Sequence, residues 1–101
     1  MSDHPLGNDQ AKAEINRCLE EGFVTYSRHF RDELANDALS TEDVLTVCRS
    51  GAVIIAPEKD IRTGQWKYRI EGATADGRNV AVVFAFTSER AVLITVFERT
   101  P

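Results

Sequence analysis

The sequence predicts an α+β domain, helices first and a mainly antiparallel sheet after them. Three observations lead to that class. As far as Gly51 the apolar residues recur at helical spacing, and from Ala52 they fall in short alternating or continuous runs. Between two of those runs stands Asp76-Gly77, a hairpin turn signal. At 101 residues, 43% hydrophobic and 28% charged, the chain has the size and composition of one folded core. We expect a flexible N-terminus over residues 1–7 and one domain over 8–101, built of two to three helices on a four-stranded sheet.

Asn8 or Asp9 can cap a first helix with the stripe Ala11, Ile15, Cys18 and Leu19, and Gly22 stands where a left-handed residue would end it. Phe23-Val24-Thr25-Tyr26 is β-prone but short, either a brief extended segment or the entry to the next helix. Thr25 or Ser27 can cap a second helix from Arg28 to about Asn36. Ser40-Thr41-Glu42-Asp43 resembles a capping box, ahead of a third helix that presents Val44, Leu45, Val47 and Cys48 and ends at Gly51.

Ala52-Val53-Ile54-Ile55-Ala56 reads as a short apolar strand ended by Pro57, with a polar loop to Gly64 after it. From Gln65 to Glu71 the pattern alternates, Trp66, Tyr68 and Ile70 on one face and Lys67, Arg69 and Glu71 on the other. The run Asn79 to Phe86 is apolar on both faces, as a central strand is. Ser88-Glu89-Arg90 turns into a last strand, Val92 to Phe97, whose register the pattern leaves open. A two-residue turn at Asp76-Gly77 would set charged residues beside aromatic ones. A three-residue loop, Ala75-Asp76-Gly77 with Gly77 left-handed, pairs Tyr68 with Phe84, Ile70 with Val82 and Trp66 with Phe86, and the hydrophobic pattern selects it.

The net charge of −4 is uneven: residues 1–51 carry five Lys/Arg against ten Asp/Glu, residues 52–101 seven against six. A polyanion would therefore approach the sheet half. The first seven residues lack the basic and apolar regions of an export signal, and no run approaches the roughly 20 apolar residues of a membrane span. A cytoplasmic protein with no membrane partner is expected. Cys18 and Cys48, without a Cys-x-x-Cys or nearby His, then read as free thiols packed in the core, with no metal or other cofactor.

Several local patterns resemble an uncharacterised bacterial family, a domain of unknown function, in the RelE/ParE toxin superfamily. They are Tyr26-Ser27-Arg28-His29-Phe30, Leu39-Ser40-Thr41-Glu42-Asp43-Val44 leading to Arg49-Ser50-Gly51, Tyr68-Arg69-Ile70-Glu71-Gly72 with Asp76-Gly77-Arg78, and Leu93-Ile94-Thr95-Val96-Phe97. Together they cover roughly residues 25–98, in the element order of that superfamily. The family commonly has arginines four and eight positions after its histidine; here those positions hold Glu33 and Asp37, which reverses the local charge. The resemblance implies a RelE-like fold and a toxin neutralised by an antitoxin. RelE-like toxins cut mRNA, with Lys/Arg on the sheet holding phosphate and an acid/base group near the last strand; ParE-like toxins act on gyrase.

Metal-free RNA cleavage needs a base at the 2′-OH, cations on the scissile phosphate and an acid for the leaving oxygen. Lys67 and Arg69, two apart on one strand face, can clamp a phosphate, with Arg78 and Arg90 at the neighbouring turns adding to it. The bland alternative is a solvated strand face. His29 and Glu98 are the candidate acid/base residues, against a structural histidine and an exposed strand end. Two functions follow: an RNA endonuclease toxin of a toxin–antitoxin pair, or a non-catalytic interaction domain on the same scaffold. In the second, the open sheet face, partly apolar if Leu93 and Phe97 lie there with Val83, takes an antitoxin or other protein.

Overall fold

Two of the three helices in the first half begin with a serine that accepts from a free N–H of the first turn. In the computed structural model, which describes residues 4–88 and 90–99, α1 spans Asn8–Glu21, α2 Arg28–Asn36 and α3 Thr41–Ser50. The expected capping box is present: Asp43 N–H donates to Ser40 Oγ at 3.2 Å and Ser40 N–H to Asp43 Oδ2 at 2.9 Å. Ser27 caps α2, accepting from Phe30 N–H at 3.0 Å. At α1 the cap is Gly7, not Asn8 or Asp9, and its N–H donates to Gln10 Oε1 at 2.9 Å. Just before it, Leu6 N–H donates to the Tyr68 hydroxyl at 2.9 Å while the leucine packs on the core.

The sheet has five strands where four were expected, and it is mixed: β1 (Val24–Tyr26), β2 (Glu58–Lys59), β3 (Trp66–Ala73), β4 (Asn79–Thr87) and β5 (Arg90–Glu98), in the order β1-β5-β4-β3-β2. The last four form an antiparallel meander, and β1 lies parallel to β5. The added strand is the β-prone segment after Gly22, held by Ala91 N–H to Phe23 O (2.9 Å) and Ser27 N–H to Leu93 O (3.0 Å). The strand expected over Ala52–Ala56 does not form. Ala52 makes a single bridge to Glu71, and pairing resumes only at Glu58↔Lys67, inside the expected loop. Those two pairs are out of step by two residues, and Pro57 has no N–H to donate, so Val53–Pro57 arches away from β3 as an arm.

The β3–β4 hairpin takes the expected register, Tyr68↔Phe84 and Ile70↔Val82. Thr74 N–H donates to Arg78 O at 2.8 Å, Gly77 N–H to Thr74 O at 3.0 Å, and Gly77 is left-handed at φ 88. The ladder closes at Lys67↔Ala85, one residue short of the Trp66↔Phe86 pair. A β-bulge sets the last strand: Val83 pairs with Thr95 but Phe84 with Leu93, which leaves Ile94 over. Leu93 and Val96, three apart, would otherwise face opposite ways; the bulge buries both. Leu93 therefore belongs to the core, not to the open face.

The helices all pack on one side of the sheet. Ala11, Ile15, Phe30, Val47 and Cys48 meet Tyr68, Ile70, Val82, Phe84 and Leu93 there. Tyr68 stacks on Phe84 at 5.6 Å between centroids, and Phe86 closes the cluster edge-on to Phe84 at 5.5 Å. Tyr68 and Phe84 are core, as the alternation predicted, and Trp66 and Phe86 pack against them partly buried. The helical layer sits close because two glycines touch. A Cβ on Gly72 would lie 2.9 Å from Gly51 Cα, and one on Gly51 would run into the carbonyls of Glu71 and Val47. Since both obstacles are backbone, Gly51→Ala should cost roughly 1–3 kcal/mol by overpacking. The expected readout is a lower urea midpoint at unchanged slope; an unaltered midpoint would show that α3 and β3 stand further apart.

Candidate functional site

Alternation along β3 turns Lys67, Arg69 and Glu71 to the face without helices, above Ala81, Val83 and Ala85 of β4. From β5 the same face receives Thr95 and Phe97, and the bulge adds Ile94 beside Thr95. The arm walls one side. The result is an open depression of about 260 Å³, lined by Lys67, Arg69, Val83, Ile94 and Thr95 and by Ile55, Ala56 and Glu58 of the arm and β2.

The two cations read together from the sequence do line this depression, but they are not equivalent. Arg69 Nε lies 2.7 Å from Glu71 Oε2, without its N–H aligned on that oxygen, and its guanidinium covers the Phe97 ring at 5.1 Å. Arg99 Nη1 reaches Glu71 Oε1 at 2.5 Å. The carboxylate is 9% exposed and lies beneath two arginines that are themselves 31% and 49% exposed, a largely buried anion under partly solvated cations on an otherwise open face. Lys67 has no carboxylate within ion-pair distance among the described residues. It contributes, after the N–H of Arg62, to holding the Asp60 carboxyl below its ordinary range.

The remaining candidates stand elsewhere. Arg78 serves as a tie: its guanidinium donates to Asp37 O (2.9 Å) and Ala38 O (3.1 Å) and faces Asp43, Asp76 and Glu98 at 3.6, 3.3 and 3.7 Å. Glu98 pairs in register with buried Val80, on the helix side of the sheet, so it is turned away from Lys67. His29 is exposed in the first turn of α2, within the helical layer. Arg90 is exposed opposite Thr87, beyond the depression. Neither His29 nor Glu98 joins the two cations in the depression, where the carboxylate in the lining is that of Glu58. Glu71, Thr95 and the arm were missed as site members. The first sat in view as the third charge of Lys67-x-Arg69-x-Glu71, but its burial has no sequence signal.

Nor do the cysteines supply a nucleophile. Cys18 and Cys48 are both fully buried, and neither is in a disulfide. Burial raises both thiols and pushes Cys48 up to about 12 from an ordinary 9.0. Among the described residues no group of three or more His, Cys, Asp or Glu is placed to hold a metal ion, and no helix is long and apolar enough to cross a membrane.

A family model described as a domain of unknown function (DUF4258) matches residues 26–98, from the end of β1 to the end of β5. No curated protein matches the chain, and no solved structure does.

Two outcomes are expected. Arg78→Ala should destabilise the fold by roughly 1.5–3 kcal/mol, because two carbonyls lose a charged donor; a thermal melt unchanged by it would show the tie to be idle. The folded state holds the Cys48 proton more tightly than the unfolded chain, so the thiol's contribution is complete below about 9 and is lost as pH rises toward about 12. Urea unfolding of Cys48→Ala should therefore show a shallower alkaline loss of stability than the parent; equal slopes would contradict the burial effect.

Proposed function

The chain belongs to the DUF4258 family, and we propose that it is a non-catalytic interaction domain that holds a partner protein on its open sheet face. One observation carries this reading: the depression combines a lysine that makes no ion pair among the described residues with aliphatic walls, while both candidate acid/base residues stand off it. Val83, Ile94 and Ile55 provide apolar contact area, and Lys67 with the surplus charge of the arginine pair favours an acidic partner on a chain of net charge −4. In this reading the scaffold is RelE-like and the protein bacterial and cytoplasmic. Helices on one face of an antiparallel meander support the kinship.

The second reading, an RNA endonuclease toxin held in check by a cognate antitoxin, rests on Lys67 and Arg69 sharing the depression. Against it stand the engagement of Arg69 by Glu71 and the turn of Glu98 to the opposite face.

A photo-crosslinking residue at Thr95, with one at Glu20 of α1 as control, separates the two in the native host. A discrete protein adduct should form from Thr95 alone and vanish with Val83→Glu or the milder Lys67→Glu, while transcripts stay intact on induction. Absence of any adduct removes the interaction reading. Transcript cleavage with growth arrest, abolished by Lys67→Ala/Arg69→Ala, installs the enzyme in its place.

A further inference from the structure

We infer that the polypeptide held on the open face ends there: the depression takes its C-terminal residue, an aliphatic side chain bearing a free α-carboxylate. This rests on the interaction reading and specifies its partner. Glu71 exchanges both backbone hydrogen bonds with Ala52, at 2.9 and 3.0 Å. Because the direction of these groups alternates along a strand, those of Lys67, Arg69 and Glu71 all point away from β4, toward the arm. Ala52 takes up Glu71, and Glu58 takes up Lys67. Between them the arm arches off, and among the described residues no backbone hydrogen bond from it reaches Arg69. The edge of β3 thus carries a notch one residue wide, closed at both ends. A strand running through it would collide with the chain at Ala52 and at Glu58. The end of a chain would not.

The donors around the notch suit a compact anion. Lys67, which makes no ion pair among the described residues, Arg69, whose main-chain N–H points toward the arm, and Thr95, which carries a hydroxyl, all border the depression. Tyr68 also borders it, and since its ring lies in the core it does so through its main chain. A volume of about 260 Å³ walled by Val83, Ile94 and Ile55 accommodates one aliphatic side chain. Glu58 on the rim opposes a second negative charge, which disfavours a run of phosphates and leaves a single carboxylate as the match.

The test is an NMR titration of the isotope-labelled full chain with three probes: acetyl-glycyl-glycyl-leucine as the free acid, its C-terminal amide, and an acidic leucine-rich peptide blocked at both ends. The free acid should give saturable shifts at Lys67, Arg69, Val83 and Ile94. Binding should weaken at least tenfold with the amide, and equally with Lys67→Met, whose unchanged signal dispersion would show it folded. Equal binding of acid and amide, or no saturable shift with the acid, overturns the inference. Preferential binding of the doubly blocked peptide also overturns it while leaving the interaction reading in place. If no peptide binds, the adduct at Thr95 decides whether that reading falls as well.

Discussion

Gly77 adopts a left-handed conformation, φ 88, which a residue with a Cβ takes up only at a cost, and this makes a three-residue loop of Ala75-Asp76-Gly77. A two-residue turn would shift the pairing of β3 on β4 by one and reverse every side chain relative to its neighbours. Tyr68 and Ile70 would then lie beside Ala85 and Val83, and Arg69 beside Phe84. Because the observed register holds, the aromatic residues of β3 and β4 share one face and Lys67, Arg69 and Glu71 share the other. Both the core and the depression descend from that turn. Arg78, the next residue, binds the hairpin to the α2–α3 connection through two carbonyls.

A second irregularity completes the open face. The bulge at Ile94 lets Leu93 and Val96 enter the core together and delivers Ile94 and Thr95 side by side into the depression. Ser27 ties this bulge to the helical layer: its hydroxyl donates to Ile94 O at 2.9 Å and accepts from Phe30 N–H at 3.0 Å. One side chain therefore starts α2 and pins the distorted part of β5. The open face is shaped from the helix side of the sheet, although no helix covers it.

Much of this was legible beforehand, for local reasons. Ser27, Ser40 and Asp43 cap helices through contacts within three residues, and Trp66 to Glu71 alternates so cleanly that its inward face follows from the pattern. The misses involve partners distant in sequence. β1 is a strand only because β5 lies beside it, and Ala52–Ala56 fails to be one because β2 takes β3 two residues out of step. Leu93 and Phe97, four apart, would share one face of a regular strand; the bulge breaks that parity. At the site, Lys67 and Arg69 were found from spacing alone. What separates them, a glutamate buried between Arg69 and Arg99, depends on a side chain from just beyond β5 reaching across β4 to β3, a contact 28 residues apart in sequence.

That buried glutamate also limits how this surface can change over generations. With Glu71 only 9% exposed and two guanidiniums leaning on it, replacing it alone leaves two like charges facing each other beside an aromatic ring. Removing either arginine alone leaves the carboxylate half-neutralised in a dry setting. Loss of any one of the three is therefore costly until a second follows, and related chains should keep Arg69, Glu71 and Arg99 as a set or exchange them together for uncharged residues. Lys67 lies outside the triad, so its replacement leaves no buried charge behind; what holds it in place is the docked partner and not the fold.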